Sequence, residues 1–287
     1  MINRLIVCCL VLSVFVGDLA YADDVEITPD VVYGHKFGMA MTYDVFQPED
    51  DANGAAVIFV VSGGWYSRWS PPANLLRFSE PLTKKGFTVF TLRHGSSPKY
   101  SIPEIVADVR RGVRHIRMHA EKYNIDSDRL GVYGMSAGGH LSLMLGTASD
   151  EGNPEAKDPV QQVSDHVNAV VAWVPPTDLR IMVWEAPDHL PAYEKFPALD
   201  LSVETAAEYS PLLHVSEDDP PTLVISGAKD KLVPIVHSEL IQKAFEEKGV
   251  TSELAVYENA AHGFGKEDRE DATAKMVDWF EKHLAEK

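Results

Sequence analysis

Residues 129–141 read Arg129-Leu130-Gly131-Val132-Tyr133-Gly134-Met135-Ser136-Ala137-Gly138-Gly139-His140-Leu141, and the rest of the chain is organised around them. An apolar run from Leu130 to Tyr133 meets Gly134-Met135-Ser136-Ala137-Gly138, and small residues at helical spacing follow at once. The pattern predicts a strand, a sharp turn and a helix, with one serine at the apex. Such a turn holds the serine in a strained backbone conformation, and glycines two before and two after it let the strand and helix approach closely. The Ser136 hydroxyl is then exposed, and the Ala137 amide points the same way. A five-residue match of this kind arises by chance in roughly one chain in ten of this size. The flanking segments must therefore supply a base, an acid and an anion-stabilising loop.

Upstream, Ala55 to Val61 is continuously apolar, as expected of a parallel strand covered on both faces. It ends in Ser62-Gly63-Gly64-Trp65-Tyr66, and a glycine pair past a buried strand can turn backbone amides toward a bound oxyanion. Phe87 to Leu92 is a second buried strand. Ser101-Ile102-Pro103-Glu104 then forms a capping box that opens a long amphipathic helix through Ile105, Val109, Val113 and Ile116. His115 and His119 stand four apart on that helix, crowded by Arg114 and Arg117. They read as a solvated face, not a metal site. Before all of these, alternation through Met39, Met41, Tyr43 and Val45 suggests an antiparallel edge hairpin over 31–46.

Downstream, Val167 to Val174 is a buried strand closed by Pro175-Pro176. Residues 177–215 mix aromatics, prolines and charges, and read as a cap-like insert between two sheet strands. The insert lacks a continuous apolar lid face, which argues against long-chain lipase activity. Thr222 to Ser226 leads to Asp230, and Glu253 to Tyr257 leads to Ala261-His262-Gly263-Phe264. A helix around 234–249, and a final helix with Ala272, Met276, Val277, Phe280 and Leu284 on one side, complete the pattern. Strands alternating with helices imply a mostly parallel sheet. Gly63, Gly64, Ser136, Asp230 and His262 all fall just past strand C-terminal ends, so they can meet at one sheet edge. Asp178 is a competing acid, more simply read as the N-cap of a turn in the insert. His140 is expected to pack beneath the elbow.

The order Ser, Asp, His resembles that of the α/β-hydrolase family. Gly134 to Gly139, Lys229-Asp230-Lys231-Leu232-Val233-Pro234 and Ala261-His262-Gly263-Phe264 each match it. The nearest resemblance is to secreted esterases of the hormone-sensitive-lipase and feruloyl/acetyl (carbohydrate) esterase type. This implies an α/β fold with helices on both faces of a mostly parallel sheet, and a serine carboxylesterase for small acyl esters such as acetyl or feruloyl decorations of polysaccharides. It implies a catalytic triad of Ser136, Asp230 and His262 and an oxyanion hole of Gly63, Gly64 and Ala137. Trp65, Tyr66 and Trp69, beside that loop, are candidate pocket residues. One departure stands out: aligning Trp65 with the family's His-Gly-Gly-x-Trp puts Val61 where its histidine belongs. An oligopeptidase-type peptidase and a non-catalytic binding module are the alternatives.

Charge and composition bound the rest. Arg4, an apolar run from Leu5 to Val16 and Ala20-Tyr21-Ala22 predict a cleaved secretory signal over 1–22. Residues 23–287 would form a single α/β domain, secreted or periplasmic. The only cysteines, Cys8 and Cys9, lie within the signal segment, so the mature chain needs no disulfide. A net charge of -17 disfavours nucleic acid and anionic membranes as partners. A small-molecule or carbohydrate ester is the expected substrate, with no metal and no organic cofactor.

Overall fold

The computed structural model describes residues 24–284. The expected signal segment lies outside them. Eight strands form one sheet: β1 (Val25–Lys36), β2 (Met39–Pro48), β3 (Ala56–Val60), β4 (Thr88–Leu92), β5 (Leu130–Met135), β6 (Ala169–Trp173), β7 (Thr222–Gly227) and β8 (Ser252–Tyr257). Their spatial order is β1-β2-β4-β3-β5-β6-β7-β8. β1 and β2 are antiparallel to their neighbours, and from β4 through β3 to β8 every pairing is parallel.

Every residue of β3, β4, β6 and β7 is buried, which is why these segments read as mostly apolar runs without alternation. Period-two alternation divides them between two cores. Ile58 and Val132 face one layer, with α2 (Ile102–Met118), α3 (Ala137–Thr147) and α5 (Val236–Lys248). Val57 and Tyr133 face the other, with α1 (Leu76–Thr83) and α6 (Lys266–His283). The capping box at Ser101 and Glu104 is present and starts α2 where expected. Ile105, Val109, Val113 and Ile116 of α2 are all buried. Each contributes about 1.5–3 kcal/mol by leaving water.

The edge hairpin is longer than its alternation suggested, because β1 begins at Val25 and alternates irregularly through two register shifts. It is tied to the sheet by an ion pair: Arg93, just past β4, donates to the fully buried Asp44 of β2 at 2.6 and 2.8 Å and to Asp30 at 2.9 Å. His115 differs from its expected solvated state. It is half-buried, with its Nδ1 3.0 Å from the Tyr43 hydroxyl, and burial lowers its pKa to about 4. Between β6 and β7 the chain runs through short 3-10 turns at Leu179–Ile181, Pro191–Lys195, Pro197–Leu199 and Pro211–Leu213, with α4 (Val203–Glu208) among them. None of the described helices is long and apolar enough to cross a membrane.

Candidate active site

β5 ends and α3 begins with Ser136 alone between them, at φ 55° and ψ -120°. A non-glycine residue in that region costs about 1–3 kcal/mol and persists only where its surroundings fix it. Here Ser136 N–H donates to the Trp173 carbonyl at 2.8 Å, and the His140 amide donates to the Ser136 carbonyl at 2.9 Å. The glycines are required by contact. A Cβ on Gly134 would lie 2.4 Å from the Gly138 carbonyl, and one on Gly138 would lie 2.8 Å from the Val60 carbonyl oxygen. The third glycine matters as well, since a Cβ on Gly139 would come within 2.9 Å of the Trp173 carbonyl oxygen.

Asp230 follows β7, and His262 lies between β8 and α6. Their loops are stitched together, because the Lys229 amide donates to the Ala260 carbonyl at 2.9 Å. One Asp230 oxygen accepts the amides of Leu232 and Val233 at 2.8 and 2.9 Å. The other sits 2.7 Å from His262 Nδ1. The buried carboxylate can only accept, so Nδ1 carries the proton and Nε2 is left as the basic nitrogen. Among the described residues no hydrogen bond joins Ser136 Oγ to His262; such bonds commonly tighten only when substrate binds. The competing acid Asp178 is turned away. Its carboxylate caps the Leu179–Ile181 turn through Arg180 N and pairs with the Arg180 guanidinium at 2.9 and 2.7 Å.

The loop after β3 departs from expectation at two positions. Gly63 N–H donates to the Tyr66 carbonyl at 3.0 Å, and Tyr66 N–H returns the bond. The Gly63 amide is therefore occupied by the turn, not offered to an anion. Gly64 and Trp65 both adopt positive φ, 59° and 60°. The amides of Gly64, Trp65 and Ala137 donate to no protein acceptor among the described residues. The pairing of Gly63 with Tyr66 and the positive φ of Trp65 were not signalled by the sequence.

Trp65 also fails as a pocket wall: it is 2% exposed and points inward. Its indole N–H donates to His140 Nδ1 at 3.3 Å, so His140 Nε2 carries the proton and donates to the Tyr209 carbonyl at 2.7 Å. Burial lowers the His140 pKa to about 4, and the imidazole is neutral. His140 does pack beneath the elbow, and it links the loop to the insert. Tyr66 is half-buried, while Trp69 is 60% exposed and its indole N–H donates to the Asp30 carboxylate. The insert reaches the loop through Phe196, whose ring would lie 2.6 Å from a Cβ on Gly64. Tyr193, three residues earlier, is buried. Its hydroxyl pKa is pushed up to about 12 by burial and then by the charge of Asp230.

The BD-FAE family model matches residues 43–245. A protein of Mycobacterium tuberculosis named probable carboxylic ester hydrolase LipM is 27% identical over 72% of this chain and 48% of its own length. The acetylxylan esterase of Xylanibacter ruminicola is 30% identical over 77% of this chain and 43% of its own. The chain spans about half the length of such relatives. Among solved structures, the acetyl ester-xyloside bifunctional hydrolase of Caldicellulosiruptor lactoaceticus superposes with a TM-score of 0.72 at 26% identity, over 88% of this chain and 95% of that one.

Proposed function

Because the chain belongs to the BD-FAE family, we propose that it is a serine carboxylesterase using Ser136, His262 and Asp230. The observation that carries this reading is the 2.7 Å bond between Asp230 and His262 Nδ1, at the sheet edge where Ser136 stands in its strained turn. A serine hydroxyl is a poor nucleophile at neutral pH. His262 Nε2 takes its proton as Oγ attacks the acyl carbon, and Asp230 holds the tautomer and stabilises the imidazolium. The amides of Gly64, Trp65 and Ala137 receive the oxyanion, each donor being worth about 10²- to 10³-fold in turnover. The tetrahedral intermediate collapses, and the alcohol leaves with the proton from His262. Water, activated by the same imidazole, then hydrolyses the acyl-enzyme.

The proposed substrates are small acyl esters, with acetyl or feruloyl groups on polysaccharides as the natural class. The acetylxylan esterase and acetyl ester-xyloside hydrolase named above support that choice. The leader over 1–22 favours a secreted or periplasmic protein, with 23–287 as one domain and 177–215 as its cap. Hydrolysis of p-nitrophenyl acetate by the protein and by its Ser136→Ala variant tests the reading. Activity that survives in the variant removes Ser136 as nucleophile, and faster cleavage of a proline-containing dipeptide amide than of any ester makes the protein a peptidase.

A further inference from the structure

A cleft of about 650 Å³ opens between the β1–β2 hairpin and the segment that follows β4. Trp69 stands at its rim, 60% exposed. That indole is not free to swing: its N–H donates to both Asp30 oxygens, at 3.0 and 3.2 Å, and Asp30 is held by Arg93 at 2.9 Å. A large aromatic face is thus fixed toward solvent beside a cleft, although nothing in the core requires it there. Of the charges at the cleft, Arg93 is taken up by Asp30 and Asp44, and Lys99 lies over the Tyr100 ring. The site offers a flat apolar face with one cation, Lys99, beside it.

The wall of the cleft holds polar groups of its own. His94, Ser97 and Tyr100 line it, each at least nineteen-twentieths buried, and His94 Nε2, Ser97 Oγ and Tyr100 Oη have no partner among the described residues. His94 Nδ1–H donates to the Gly95 carbonyl at 2.9 Å, so Nε2 is a bare acceptor. Burial lowers the His94 pKa to about 4, which keeps the ring neutral. Those three atoms are sealed behind the wall, so what the cleft presents to a ligand is chiefly the Trp69 face, the kind of partner that the C–H face of a sugar ring takes.

Position ties this cleft to the chemistry. The cleft lies past β4 towards the edge hairpin, with β2 three strand spacings, about 14 Å, from β5 and Asp30 on β1 one spacing further out. Ser67 joins the two: its hydroxyl donates to the Val61 carbonyl at the base of the oxyanion loop at 2.7 Å, and its amide donates to Ser96 Oγ at 3.1 Å. We propose that the cleft beside Trp69 is a glycosyl-binding subsite, which seats a sugar unit of the polysaccharide further along the chain from the one whose acyl ester is cleaved at Ser136. This rests on the esterase reading above and adds the alcohol side of the substrate to it.

The test pairs two substrates and one binding probe. For wild type, Trp69→Ala and Trp69→Phe, kcat/KM is measured on acetylated xylo-oligosaccharides and on p-nitrophenyl acetate. The ratio of the first to the second falls about tenfold in Trp69→Ala, the loss of one stacked aromatic contact, and recovers largely in Trp69→Phe. Calorimetric titration of unesterified xylohexaose into Ser136→Ala gives binding that the added Trp69→Ala substitution removes. An unchanged ratio together with unchanged xylohexaose binding overturns the subsite. A loss on methyl ferulate as large as on the oligosaccharide also overturns it, by making Trp69 an acyl-side residue. If wild type hydrolyses no ester at all, the catalytic reading fails, and the titration still decides the cleft.

Discussion

The indole N–H of Trp65 donates to Nδ1 of His140 at 3.3 Å, inside the protein and four residues along from Ser136. The bond ties the loop after β3 to the elbow helix α3. Trp65 and Gly64 both hold positive φ, and a loop in that conformation needs something to keep its amides aimed. His140 does so from below, anchored in turn on the Tyr209 carbonyl.

Replacing His140 by Leu removes the acceptor for Trp65 and the donor for Tyr209. Turnover on p-nitrophenyl acetate should fall on the order of 10- to 100-fold, up to the worth of one oxyanion donor, with KM changed far less. His140→Gln keeps an acceptor and a donor and should retain most of kcat. Thermal melts of both variants separate a displaced loop from a lost fold. Equal kcat in Leu and wild type would show that the loop needs no brace.

Asp230→Asn should lower kcat by roughly 10⁴-fold, the magnitude seen when a triad carboxylate elsewhere is made an amide and the wrong imidazole tautomer results. The geometry makes the loss specific. The amides of Leu232 and Val233 require an acceptor on one side, so the new NH2 is forced toward His262 Nδ1, which must then lose its own proton. Asp178→Asn, by contrast, should leave kcat within a few-fold, because Asp178 serves Arg180. Comparable losses in both variants would reopen the choice of acid.

Much of this was legible because buried parallel strands announce themselves as apolar runs, and the residues just past their ends are the ones a sheet edge can gather. Ala56–Val60, Leu130–Met135 and Thr222–Gly227 are such runs, and Gly64, Ser136 and Asp230 follow from them. Direction within a loop was not legible. Nothing in Ser62 to Tyr66 says that Gly63 and Tyr66 exchange amide bonds, or that φ of 60° turns Trp65 into the core. Long-range polar partners were equally hidden: His115 meets Tyr43, 72 positions away, whereas its crowding by Arg114 and Arg117 reads as a solvated face.

Two glycine substitutions separate contact from chemistry. Gly134→Ala puts a Cβ 2.4 Å from backbone that cannot yield, and should destabilise the protein by several kcal/mol, read as a lowered denaturant midpoint. Gly63→Ala meets nothing within 4 Å and is not at positive φ. With its amide already used by Tyr66, that variant should keep both stability and kcat within about twofold. A large kcat loss in Gly63→Ala would return the Gly63 amide to the oxyanion hole.

Stability should fall in mild acid, and three fully buried histidines set most of the window, with the half-buried His115 adding a smaller, screened share. Burial lowers the pKa of His94, His140 and His237 to about 4, against about 6.5 in an unfolded chain. Between those values the unfolded state binds protons that the folded state refuses, so stability rises with pH there. The stabilisation is complete above pH 6.5 and drains away as pH falls toward 4, at about 1.4 kcal/mol per pH unit for each histidine. Asp108 and Asp165 act in the opposite sense. Burial raises their pKa, so they hold protons in the folded state just above pH 3.8 and offset part of the loss at the acid end. Calorimetric melts should therefore give a Tm nearly constant from pH 8 to 7 that declines from 6.5 to 5. His140→Gln removes one titrating group and should flatten the decline by about one proton. A Tm independent of pH from 7.5 to 5 would mean that these imidazoles are reached by water in the folded protein.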